Sequence, residues 1–102
     1  MILAKAVFVL ASIFSTEAEA VDWYCPGQAE VRLEDNTRVD CLTDTHAIEY
    51  DYGRKWAEAT GQALHYARLT GKKAGIVLIN PTAIQLERIE KLNLNIDVQA
   101  VY

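Results

Sequence analysis

The stretch AIEYDYGRKWAEATGQALHYA, Ala47 to Ala67, decides how the rest of the chain is read. It begins with strict alternation: Ile48 and Tyr50 are apolar, while Glu49 and Asp51 are acidic. Period-two geometry puts both acids on one face of a strand. After Gly53 the spacing becomes helical, and Lys55, Gln62 and Tyr66 fall on one stripe, within about 40° of each other. An acidic strand therefore passes directly into a helix that carries a cation, an amide and a phenol.

Upstream of this stretch, Ala29 to Leu33 alternates, Asp35-Asn36-Thr37 turns, Arg38 to Leu42 alternates again, and Thr43 to His46 is a second turn. With Ala47 to Asp51 this makes an antiparallel three-stranded meander. Downstream, the spacing predicts a helix over Arg54 to Leu69, stopped by Gly71. GIVLI, Gly75 to Ile79, has the continuous apolar character of a buried strand. Pro81 opens a second helix to Leu92, and Ile96 to Tyr102 is a last alternating strand. The order βββαβαβ predicts an α/β sandwich in which GIVLI pairs parallel to a meander strand through a helical crossover. No repeat, low-complexity tract or linker interrupts it.

The first twenty residues read as an export signal. Lys5 gives a short positive start, AVFVLASIF is an apolar core, and Ala18-Glu19-Ala20 is a small-x-small cleavage site. Residues 1–20 are then a signal peptide and residues 21–102 a single domain, periplasmic or secreted; the alternative is that the leader is the domain's first helix. An exported chain with two cysteines predicts a Cys25–Cys41 disulfide, whose loop is worth about 3 kcal/mol in the chain-entropy model. In a retained chain the two would be free thiols. Two cysteines and two histidines do not form a zinc signature. The net charge of −4 gives no global attraction to nucleic acid or to an anionic membrane. No stretch is long enough for a transmembrane helix.

Strand register adds a chemical point. A two-residue loop at Asp44-Thr45 sets Asp40 opposite Glu49. A three-residue loop centred on Asn36 puts Glu30 and Asp40 on one face, with Val31, Leu33, Val39 and Cys41 on the apolar other. Like charges directly opposed on a sheet are destabilising. Three carboxylates converging there need a reason, and a divalent cation with oxygen ligands supplies one. The plainer alternative is a solvated acidic face.

These residues resemble the PD-(D/E)xK nuclease superfamily, in particular its RecB-type exonuclease branch. That branch carries GxxE, then Asp, then (D/E)xK, then QxxxY. Here the series is Gly27-Gln28-Ala29-Glu30, Asp40, Glu49-Tyr50-Asp51 and Gln62-Ala63-Leu64-His65-Tyr66, in the right order and on the right elements. The resemblance covers Gly27 to Ile79 and implies a small restriction-endonuclease-like sandwich. By resemblance, Asp40 and Glu49 hold Mg²⁺ or Mn²⁺ with Glu30 assisting, Gln62 and Tyr66 orient substrate or active-site groups, and the substrate is nucleic acid, in the first place DNA. So small a nuclease domain would use a homodimer to cover a duplex. The family's lysine falls at Asp51, an extra candidate ligand, and Lys55 from the helix start is its candidate replacement.

Three readings from different classes follow. One is an exported metal-dependent nuclease acting on scavenged or foreign DNA. The second is a catalytically degenerate nuclease-fold domain that binds without cutting, and the third a disulfide-stapled structural domain. Trp23, Tyr24 and Trp56 read as packing residues, His46 and His65 as structural or exposed, and Lys72-Lys73 as a basic helix end. No nucleophile elbow, phosphate loop or Cys-His arrangement is present. Intact-mass measurement of the exported protein should give an N-terminus at Val21 and a mass two hydrogens below the dithiol; a full-length chain with two alkylatable thiols would refute the export reading.

Overall fold

The computed structural model describes residues 7–8 and 17–102. Of the expected leader this covers only Val7–Phe8 and Glu17 to Ala20; the remaining leader residues and the Trp23 side chain lie outside the described residues. The chain forms one six-stranded sheet in the order β1-β6-β5-β4-β3-β2. Its strands are β1 (Val7–Phe8), β2 (Gln28–Arg32), β3 (Arg38–Leu42), β4 (His46–Tyr52), β5 (Lys73–Ile79) and β6 (Ile96–Val101). The helices are α1 (Glu17–Tyr24), α2 (Trp56–Thr70) and α3 (Ala83–Lys91). β2, β3 and β4 are the antiparallel meander, and β4, β5 and β6 run parallel. From β2 onward the order is the βββαβαβ expected from periodicity, and the apolar GIVLI strand lies parallel to β4.

Each face of the sheet has its own core. Ile48, Tyr50, Cys41, Val77, Ile79 and Val101 pack with Ala20 and Val21 of α1. Ile76, Leu78, Ala74 and Ile96 pack with Ala59 and Ala63 of α2 and Ile89 of α3. The alternation within β4 sorts this way because Ile48 and Tyr50 point to α1, while Ala47 packs beside Tyr66 of α2 on the other side. Trp56 is packed against the α2–α3 core, as expected.

Local signals set the helix ends. α2 stops at Gly71, which takes the left-handed conformation at φ 71°. α3 begins at Ala83 rather than Pro81, because Thr82 accepts the Gln85 N–H and Gln85 returns a bond to the Thr82 N–H, a reciprocal cap. Gly53, at the handover from β4 to α2, leaves no room for a side chain: a Cβ there would sit 2.4 Å from the Pro81 Cα. That contact fixes the start of α3 against the end of the acidic strand.

The β2–β3 hairpin departs from the expected register. Its loop is Glu34-Asp35-Asn36, closed by Leu33 N–H to Thr37 O at 2.8 Å, so it is centred on Asp35 and not on Asn36. The Asp35 carboxylate accepts the Thr37 N–H at 3.0 Å and its hydroxyl at 2.5 Å, and Asn36 takes the left-handed loop position at φ 70°. Glu30 thereby comes to lie across from Asp40, between the pairs Ala29–Cys41 and Val31–Val39. Glu30 is itself left-handed, at φ 55°. The hairpin flips its faces there: Cys41 packs toward α1, whereas Val39, Val31 and Leu33 pack with Tyr66. The expected single apolar face of the hairpin is therefore split in two.

The Cys25–Cys41 disulfide is formed, with Cα atoms 5.7 Å apart, and ties the end of α1 to β3. The Tyr50 hydroxyl donates to the Tyr24 carbonyl, and the Tyr24 hydroxyl donates to Gln99 Oε1 at 3.1 Å. Tyr50→Phe leaves that buried carbonyl without its donor and should cost about 1–3 kcal/mol in denaturant melts; an unchanged midpoint would show that water replaces the hydroxyl.

Candidate metal and phosphodiester site

The second hairpin keeps its expected register. Cys41 pairs with Ile48 and Leu42 with Ala47, which sets Asp40 across from Glu49. The backbone ladder ends there, because the Asp40 side chain takes over: Oδ2 accepts the Tyr50 N–H at 2.9 Å. Asp40 and Glu49 also share a hydrogen bond between their carboxyl groups, which requires a proton. Burial pushes the Glu49 carboxyl up to about 10, helped by the charge of Asp40, by their hydrogen bond, and by Asp51 and Glu17. Asp40 is raised too, chiefly by burial, although the Tyr50 N–H and the Glu49 bond pull it back. Glu49 Oε1 is fully buried and has no hydrogen-bond partner, and Glu49 as a whole is 7% exposed. A buried carboxylate oxygen without a donor is costly.

Asp51 shares the buried face, 4% exposed, and its Oδ1 accepts the Tyr52 N–H at 2.9 Å. Its other neighbour is Glu17, the first residue of α1, whose carboxyl hydrogen-bonds to Asp51. Burial and that bond push Glu17 up to about 7, while Lys55 pulls it down. Glu17 is a site residue that sequence reasoning missed, because the leader assignment set it outside the domain. Lys55 lies not in α2 but in the 3-10 turn Gly53–Lys55 that precedes it, near Glu17. Tyr66 is buried on α2, and its phenol is raised by burial and by the charges of Glu49 and Asp40. Gln62, also on α2, is exposed. Arg54 instead stacks over the Tyr52 ring, 4.6 Å from its centroid.

Glu30 is arranged differently from the expected three-carboxylate set. Its Oε2 lies 3.1 Å from Arg38 Nε, on the exposed side of the hairpin. Among the described residues, no three of His, Cys, Asp and Glu converge as a ready cation cage. What the fold brings together is the Asp40–Glu49 pair with Asp51 and Glu17 adjoining. Mg²⁺ characteristically takes one or two carboxylates and keeps its waters, so a two-carboxylate pair fits it. A divalent cation in place of the shared proton would also supply the partner that Glu49 Oε1 lacks.

Away from this cluster, a concavity of ≈ 470 Å³ lies at the other end of β4, lined by Gly27, Gln28, Thr43, Asp44, Thr45 and Lys72 among others. His46, fully buried, reaches Thr45 Oγ1 at 2.7 Å and Asp97 Oδ2 at 2.6 Å. This resembles a nucleophile–base–acid chain, but the Thr45 and His46 N–H groups both donate to Thr43 Oγ1. Neither is left to stabilise an oxyanion. His46 is a satisfied core histidine, as expected, and His65 is a tether to Asp35 at 2.8 Å. Lys72 Nζ donates to the Thr43 carbonyl. No family model, curated protein or solved structure matches the chain.

The raised carboxyls fix the pH response of the metal-free protein. Glu49 holds its proton when folded and releases it when unfolded, so stability is greatest below its ordinary value and falls as pH rises toward about 10. In the uncleaved chain Glu17 adds a decline of the same sign up to about 7, which a chain starting at Val21 lacks. Melting temperature in EDTA should therefore drop from pH 5 to pH 9, and Glu49→Gln should flatten the slope and raise stability at pH 8. A variant with the wild-type slope would place the titration elsewhere.

Proposed function

We propose that this chain is an exported, metal-dependent nuclease that hydrolyses phosphodiester bonds at the Asp40–Glu49 pair. The observation that carries the reading is the buried, proton-sharing pair with an orphaned Glu49 oxygen, set between β3 and β4, the strand that leads into α2. The motif series that resembles the PD-(D/E)xK superfamily supports it, since its Asp and Glu lie across from each other on β3 and β4 and its Tyr packs with Ala47 on the Glu49 face of β4. The Cys25–Cys41 disulfide supports export.

In this mechanism Asp40 and Glu49 would hold Mg²⁺ or Mn²⁺, which would supply charge withdrawal from the phosphate and a more acidic water. The chain's own residues do the rest. Asp40, fixed by the Tyr50 N–H, keeps one carboxylate oxygen at a set position. Lys55, at the head of α2, offsets negative charge as it grows on the phosphate, the role left vacant by Asp51. Tyr66 closes the apolar wall beside Glu49 and offers a hydroxyl to a substrate oxygen. Asp51 can extend the ligand set once Glu17 no longer holds it.

One observation favours a second reading. The family's lysine position is filled by a buried carboxyl that is paired with another carboxyl. A domain that binds metal or nucleic acid without cutting would look the same. Activity and binding tests separate the two. Mn²⁺ should raise the melting temperature, and Asp40→Asn should abolish that rise while leaving the metal-free protein as stable or more so. Lys55→Ala should lower the rate of DNA cleavage about a hundredfold, the scale of losing one charge-stabilising donor, with fold and Mn²⁺ binding intact. Mn²⁺ binding without cleavage of any DNA or RNA would favour the binding module, and an unchanged Mn²⁺ response in Asp40→Asn would exclude this site.

A further inference from the structure

The expected cleavage point, between Ala20 and Val21, falls inside α1. It divides the helix into two halves with different ties. The half after the cut is anchored to the sheet. Tyr24 accepts the Tyr50 hydroxyl on its carbonyl and gives its own hydroxyl to Gln99, and the next residue, Cys25, is bonded to Cys41. The half before the cut ends at the acidic site. There the Glu17 carboxyl hydrogen-bonds to Asp51 and lies near Lys55. Ala20 packs in the core with Ile48 and Tyr50 of β4, which seats Glu17 against the strand that carries Glu49 and Asp51. One side chain of the leader therefore engages both groups that the site would use beyond the Asp40–Glu49 pair: the extra ligand and the replacement cation.

The bond to be cut is shielded once the chain has folded. Ala20 is 1% exposed and Val21 3%, and both are helical. Proteolysis favours exposed, irregular backbone, so cleavage has to precede the docking of α1. A chain that folds uncut keeps Glu17 at Asp51. A chain cut first folds without Glu17, while the disulfide and the Tyr24 bonds still hold the rest of α1 in place.

We propose that the leader half of α1 is an intramolecular plug of the acidic site, with Glu17 occupying Asp51 and Lys55, and that cleavage after Ala20 removes it. The site is then closed in a precursor that folds inside the cell and open in the exported protein. This rests on the nuclease reading above and gives it a safeguard, since a nuclease folded before export would stand beside the cell's own DNA.

The test compares the uncleaved chain, oxidised to its disulfide, with the exported protein, by Mn²⁺ titration calorimetry and by cleavage of labelled DNA. In the uncleaved chain, Glu17→Ala should raise Mn²⁺ affinity about tenfold, the scale on which a partner of a ligand tunes metal binding, and should raise the cleavage rate with it. Glu17→Gln can still donate a hydrogen bond to Asp51, so it should stay close to the uncleaved wild type and serve as the control for fold. The exported protein should match Glu17→Ala in both measurements. Equal Mn²⁺ affinity and equal cleavage in the uncleaved wild type and Glu17→Ala would overturn the plug and leave the nuclease reading standing. An exported, active protein whose mass still includes Glu17 would overturn the plug as well. Mn²⁺ affinity that rises in Glu17→Ala and in the exported protein, without cleavage of DNA or RNA by either, would uphold the plug on the metal site and overturn the nuclease reading.

Discussion

The Asp40 side chain is the constraint on which the site depends. It accepts the Tyr50 N–H and thereby replaces a rung of the β3–β4 ladder with a side-chain bond. A carboxylate used this way is held between the strands, across from Glu49. The same event ends the regular pairing and lets the outer half of the hairpin turn toward α2. Val39 then packs with Tyr66, while Cys41, two residues away, stays under α1. One hydrogen bond thus links the acidic pair, the phenol wall and the disulfide-bearing strand.

Burial gives these acids their character. Glu49 and Asp51 sit on a face that is otherwise filled by Ala47, Ile76, Leu78 and the small residues of α2. Ala59 and Ala63 bring α2 close to the sheet, which removes water from the acids without adding donors for them. In that setting the carboxyls answer with protons, one shared between Asp40 and Glu49 and another on Glu17 beside Asp51. That face excludes water yet carries two buried carboxyl groups, Glu49 and Asp51, with Asp40 and Glu17 reaching them from β3 and α1.

Most of the fold was legible because its signals were local and agreed with one another. The alternation of Ile48-Glu49-Tyr50-Asp51, the apolar GIVLI run and the Gly71 stop each specified one element and no other. The 43–46 turn likewise fixed the Asp40–Glu49 register. The first hairpin was less legible, since either Asp35 or Asn36 could centre its loop and the choice fell to the Asp35–Thr37 bonds. Parity along β3 then failed at Glu30, because a left-handed glutamate leaves no pattern in sequence. Glu17 was hidden for a different reason: the leader pattern set it outside the domain, and only the folded arrangement brings it to Asp51.

The kink at Glu30 also has a bearing on how the molecule lives among its own copies. β2 is the outermost strand of the sheet, with one side of its backbone unpaired, whereas the opposite edge is covered by β1. An open, straight edge of this kind is a template for strand addition and for the growth of aggregates. β2 is short, turns left-handed at its middle residue, and presents Glu30 and Arg32 to solvent. A second copy laid against it would lose register at Glu30 and meet charge on both sides of the break. The distortion at Glu30 therefore keeps the sheet from extending past its last strand.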